Sequence, residues 1–290
     1  MTPAARRVRC LACALVALCV AGCATTTSRP TNPPIARADP RVGYRLETRP
    51  RDNLADTIVI LAFSGGGTRA AAFSYGVLEE LRRTPLRIGG TPSRLLDQVD
   101  VITGVSGGSF TALAYGLYGD RLFDVYERQF LKHDVQGDLV ARFLNPYYWP
   151  ALMSGTWGRS EMAASLYDDL LFHGATFADL DKRPGPLIFV TATDISTGSR
   201  LGFVQGEFDL ICSDLSAVPL ARAAAASSAV PLVLSPVTFN NYGGRCGYRY
   251  PQWAAAISDP DNPSRPAGRA LQRLHEMRSF EDSADRPYLH

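Results

Sequence analysis

Histidine is scarce in this chain, with four in 290 residues, and nowhere does it stand with cysteine in the spacing that zinc sites use. A metal centre is therefore not expected, and no cofactor is implied. No Lys/Arg stripe survives beyond the first residues, which excludes the electrostatic footprint of a nucleic-acid binder. The apolar run at the N-terminus is too short to span a bilayer as a helix. Internal repeats are missing, as is any second domain boundary in the later part of the chain. Charged residues make up 20%, an ordinary share that argues against disorder over most of the length. What remains, at 46% hydrophobic content, is enough to bury one large core or two modest ones.

The first 22 residues read as a leader. MTPAARRVRCLACALVALCVAG starts with Arg6, Arg7 and Arg9, runs apolar from Cys10 to Ala21 and ends in small residues, the pattern of a secretory signal. Its end, Val20-Ala21-Gly22-Cys23, resembles the lipobox of bacterial lipoproteins, which implies cleavage before Cys23 and a lipid anchor on that residue; a plain signal peptide is the alternative. Loss of three arginines takes the net charge from +2 to −1. Residues 23–55 carry a Thr/Pro-rich stretch without periodicity, expected to be an extended tether. The expected location is the cell envelope, facing the periplasm or cell surface. Once the leader is removed and Cys23 lipidated, Cys212 and Cys246 remain, to pair in an oxidising compartment or to lie buried as free thiols.

From residue 56 onward strands and helices alternate. Thr57–Phe63, Val99–Thr103 and Leu187–Thr193 are short apolar runs that predict buried strands. Thr68–Arg83, Ser109–Tyr118, stretches from Asp120 and from Ser160, the alanine-rich segment between Pro219 and Pro231, and Gly268–Phe280 predict helices. Arg200–Cys212 predicts shorter strands around a turn, and the tail Arg286–His290 a strand just beginning. This alternation predicts a three-layer α/β domain with a mainly parallel sheet over 56–290.

Two glycine-rich turns follow strands and precede helices. Gly104-Val105-Ser106-Gly107-Gly108 fits a nucleophile elbow, where a serine on a tight turn needs glycines beside it because strand and helix approach too closely for side chains. The following helix end would aim its dipole and free N–H groups at a developing anion. Upstream, Ser64-Gly65-Gly66-Gly67-Thr68-Arg69 offers backbone N–H groups to an anion. It fits an oxyanion hole and also the G-x-G-x-x-A of a dinucleotide site. The second reading wants an acid at the far end of the next strand, where Thr103-Gly104 stands instead. A P-loop fails for want of its Gly-Lys-Ser/Thr ending.

A serine hydroxyl needs a base, usually histidine. His133 and His173 sit in amphipathic stretches, His275 lies mid-helix among charges and His290 is the final residue. None stands in a loop after a late strand, where a triad histidine belongs.

Taken in order, GGGTR after a first strand, GVSGG after a second, then TATDISTG and AAAASSAVPLVLSPV resemble the patatin-like phospholipases from about Asp56 to the end. The resemblance implies a three-layer α/β/α patatin-like fold and acyl-ester hydrolysis by a Ser–Asp dyad without histidine. By motif, Ser106 would be the nucleophile and the backbone of Gly65, Gly66 and Gly67 the oxyanion hole, with Arg69 at the motif's basic position. Ala70 departs from the glycine more usual there. The family's aspartate lies in an Asp-Gly motif after a late strand, and no Asp-Gly pair follows Ser106. The expectation is a sequence cut short, with that aspartate just beyond His290 and the chain as it stands inactive. Asp194, at the end of the third strand, is the fallback base, with capping of its own turn as the structural alternative.

The aromatic segment Phe143–Trp157, FLNPYYWPALMSGTW, reads either as a lid or acyl groove beside a membrane surface or as irregular core. The expected partners are membrane lipids or other acyl esters, with the membrane also reached through the anchor. The function so read is a serine acyl hydrolase of lipid esters. A non-catalytic lipid-binding envelope protein and a serine esterase with a histidine base are the alternatives.

Overall fold

The computed structural model describes residues 32–49, 57–153, 157–230, 234–258, 268–281 and 283–290. The leader and Cys23 lie outside them. The first apolar run forms β1 (Val59–Phe63), and β2 (Pro85–Ile88) and β3 (Thr91–Arg94) make an antiparallel hairpin. The second and third apolar runs form β4 (Val99–Gly104) and β5 (Leu187–Thr193), and β6 (Arg200–Gly202) turns back along β5. Four of these strands make one sheet in the order β1-β4-β5-β6, parallel except for β6. Phe63 lies beside Gly104 and Gly104 beside Val190. The C-terminal ends of the three parallel strands therefore leave the sheet at one edge, where ligand sites of open α/β sheets form.

Helices complete a three-layer α/β/α arrangement. α1 (Gly67–Arg83) follows β1 and buries Ala71, Tyr75 and Leu78, which helical spacing places on one face. α2 (Gly107–Tyr118) follows β4 and is buried along nearly its whole length against β4 and β5. Its small and apolar residues suit a central helix, and a side chain such as Leu113, wholly buried, contributes roughly 2 kcal/mol. The helices α3 (Val135–Leu144) and α4 (Arg159–Tyr167) come next. The alanine-rich α5 (Leu220–Ser228) begins after Pro219, and α6 (Gly268–Ser279) lies between β7 (Phe239–Asn240) and β8 (Tyr288–Leu289), which pair antiparallel.

Residues 32–49 are not an extended tether. Asn32 is buried, donates to Ser213 and to the Asn240 carbonyl, and accepts from the Asn240 N–H. The Tyr44 hydroxyl receives the Ile188 N–H at 2.7 Å, and Arg45 forms a buried ion pair with Asp209 at 2.9 Å. The domain therefore takes up the chain by Asn32, well before residue 56. Cys212 and Cys246 are joined in a disulfide 34 residues apart, next to the place where this strap lies, since Ile35 and Ala38 donate to their carbonyls.

Arg200–Cys212 also differs from expectation, because only Arg200–Gly202 is strand and Gln205–Phe208 is a helical turn. Buried polar side chains set that turn. Gln205 donates to Asp209 and the Ser213 carbonyl and accepts from the Leu215 N–H.

Candidate active site

Ser106 stands between β4 and α2 with φ 50° and ψ −119°. A side chain in that backbone region costs on the order of 1–3 kcal/mol and persists only where the surroundings impose it. They do so here. The Val105 N–H bonds the Phe63 carbonyl at the end of β1, while the Ser109 N–H and hydroxyl both bond the Ser106 carbonyl. A Cβ on Gly107 would lie 2.1 Å from the Gly67 carbonyl oxygen, and one on Gly108 2.7 Å from the backbone of Phe63. Gly104 ends β4 between Phe63 and Val190. The glycines around the serine thus let two strand–turn–helix units touch.

That contact brings the N-termini of α1 and α2 together. Gly66 caps α1 and Gly67 is its first residue, with φ 139° and 64°. A Cβ on Gly65 would sit 3.4 Å from the Ser106 Cβ, so the Gly65 backbone passes beside the serine side chain. Helix N-termini present N–H groups without intrahelical partners and a positive dipole end, and Gly65, Gly66 and Gly67 are exposed to solvent. Arg69 lies exposed in the first turn of α1. The Thr111 hydroxyl donates to the Ala71 carbonyl at 2.9 Å and locks the two helices together. The arrangement places a strained serine where an anion forming on its acyl partner would meet backbone donors.

One participant carried no signal of its own in the sequence. The Ser106 N–H donates to the hydroxyl of Ser227 on α5 at 2.9 Å. α5 is held by Arg222, whose guanidinium is buried, pairs with Glu161 of α4 at 2.7 Å and donates to the Thr238 carbonyl. Burial pushes the Glu161 carboxyl up and the Arg222 guanidinium down from their ordinary values, and each offsets part of the other's penalty. Ser227 also lines a cavity of about 590 Å³ whose wall is largely apolar, including Ala226, Leu201, Val237, Phe239 and Leu289.

Asp194 lines the same cavity but is occupied. It is buried, one carboxylate oxygen accepts from the Thr197 hydroxyl at 2.6 Å and the other from the His290 N–H at 3.1 Å. Its own carbonyl accepts from Gly198 and its N–H bonds Ser199. This is the turn-capping role. Three histidines stand apart from this cavity, His133 on Asp138 at 2.7 Å, His173 at a positive-φ helix end and His275 exposed on α6, while His290 lines it with Nδ1 3.2 Å from the Thr238 hydroxyl. Among the described residues no group of three or more His, Cys, Asp or Glu converges as a metal site. Over residues 143–153 the aromatic segment is not irregular core, because Phe143, Tyr147, Trp149 and Met153 are all exposed; residues 154–156 lie outside the described residues.

A family model for patatin-like phospholipase matches residues 61–260, a span that includes Ser106, the glycine loop, Asp194 and Ser227. No curated protein matches. Among solved structures, human GIVD cytosolic phospholipase A2, in complex with methyl gamma-linolenyl fluorophosphonate inhibitor and terbium chloride, is similar at 17% identity and a TM-score of 0.41. The match covers 69% of this chain and 36% of that one, so the chain spans little more than a third of that structure's length.

Proposed function

The chain belongs to the patatin-like phospholipase family, and from that premise we propose that it cleaves acyl esters of membrane lipids with Ser106 as nucleophile. The observation that carries this reading is the serine held at φ 50° where two helix N-termini meet. In the proposed reaction the Ser106 hydroxyl adds to the ester carbonyl and gives its proton to a carboxylate. The N–H groups of the Gly65–Gly67 loop stabilise the oxyanion. The protonated carboxyl then gives that proton to the leaving alcohol; water, deprotonated by the same group, attacks the acyl-enzyme, and the proton returns to Ser106 Oγ as the fatty acid leaves. The apolar cavity beside Ser227 suits the acyl chain.

The reading does not assign the base to Asp194, whose carboxylate oxygens already serve Thr197 and His290. Cys23 carries the lipid anchor and holds the domain at the cell envelope.

The test is fatty-acid release from phospholipid vesicles by the full-length protein. Release that disappears in Ser106→Ala supports the reading; equal release from the variant contradicts it, and vesicle binding without release in the parent would favour the non-catalytic lipid binder. Metabolic labelling with an alkyne fatty acid, lost in Cys23→Ser, checks the anchor; label retained in the variant contradicts it.

A further inference from the structure

α3 carries apolar residues on two sides. Val135 and Leu139 pack against the core, while Val140, Phe143 and Leu144 point outward with exposures of 52%, 48% and 64%. Their spacing of three and four residues makes one outward stripe. Tyr147, Trp149 and Met153, also exposed, extend it through the turns that follow. A surface helix ordinarily turns its polar side to water, and a contiguous exposed apolar patch marks an interaction surface.

The charged side chains of α3 are drawn off this stripe. Asp138 meets His133, and Arg142 meets Asp169 and lies over the Tyr148 ring. The stripe therefore carries no charge of its own helix to desolvate, and its rim holds the tyrosine and tryptophan that favour a membrane–water boundary. Contacts tie the segment's side chains together: the Trp149 indole donates to the Phe143 carbonyl at 3.1 Å, and Tyr148 stacks on Trp157. From Trp157 the chain runs directly to the candidate site. The Ser160 N–H bonds the Ser235 hydroxyl, and both Ser235 and Arg159 line the cavity that Ser227 borders.

We propose that the outward face of α3 with Tyr147, Trp149 and Met153 is a lipid-docking surface, which seats in the headgroup and upper acyl region of a bilayer beside the cavity mouth. The inference rests on the reading of the substrate as a membrane lipid ester. It assigns to the patch the delivery of lipid to the site, separate from the anchor at Cys23.

The test uses the full-length protein with Cys23→Ser, so that no lipid anchor contributes, and vesicles of phosphatidylcholine and phosphatidylglycerol in equal parts. The triple variant Val140→Ser, Phe143→Ser, Leu144→Ser is expected to lose about tenfold or more in vesicle affinity. Its thermal midpoint and its turnover of a dispersed short-chain ester should stay near those of the parent. Trp149 fluorescence should be quenched by vesicles with brominated acyl chains, and a Trp149→Phe variant should lose that quenching. Unchanged vesicle affinity in the triple variant overturns the proposal, as does a parent that self-associates through the patch without binding vesicles. Ser106→Ala separates the two readings. If it binds vesicles like the parent and needs the patch to do so, the docking surface stands whatever the hydrolysis assay returns; hydrolysis without patch-dependent binding removes the surface and leaves the nucleophile in place.

Discussion

Two strand ends at one edge of the sheet are finished in opposite ways. At the end of β4 the backbone is forced to φ 50° at Ser106 and glycines are packed to contact against a neighbouring turn. At the end of β5 the chain closes a relaxed turn in which the Asp194 carboxylate and backbone all find partners. A turn that only has to close satisfies its polar groups. A turn that presents a group for chemistry accepts backbone strain. The contrast separates a candidate catalytic residue from a nearby acid that sequence position alone would also nominate.

Substitutions at these two ends can break or sharpen that contrast. The largest effect is expected for Ser106→Ala, which should lower ester turnover by about 10,000-fold or more if the serine is the nucleophile, measured with the folded full-length protein. Gly107→Ala comes next. Its methyl would meet the Gly67 carbonyl oxygen, and a loss of about 3 kcal/mol in denaturant unfolding is expected. Asp194→Asn should cost less, about 1–2 kcal/mol, by weakening the charge-assisted bonds from Thr197 and His290. It should leave reactivity of Ser106 toward a fluorophosphonate intact, and loss of that reactivity would make Asp194 the base and erase the contrast. The smallest change in stability is that of Ser106→Gly, expected to gain about 1 kcal/mol by relieving the positive φ, with turnover lost as in Ser106→Ala. A destabilised Ser106→Gly would show that the turn is not strained.

The parts legible in the sequence are those set by local pattern. Apolar runs ending in glycine marked β1 and β4, and Leu187–Thr193 forms β5 with the expected ends. Gly-rich turns followed by small or apolar residues marked α1 and α2, and with them the elbow. What escaped depends on partners far along the chain. Residues 32–49 lack periodicity, yet Asn32, Tyr44 and Arg45 find specific partners far along the chain. α3 was missed because its apolar residues serve two faces and blur a single stripe. Ser227 is a serine in an alanine-rich helix, and only tertiary packing brings its hydroxyl to the Ser106 N–H. The hairpin β2–β3 is polar and short, with Pro85 and Pro92 in its strands, and so resembles loop.

The central claim, that Ser106 is an activated nucleophile, is tested most directly by treating the full-length protein with a fluorophosphonate and mapping the adduct by mass spectrometry. A single adduct on the peptide containing Ser106, absent in Ser106→Ala, is the result expected. An unmodified Ser106 peptide in folded protein that hydrolyses lipid esters, or an adduct that persists in Ser106→Ala, would contradict it.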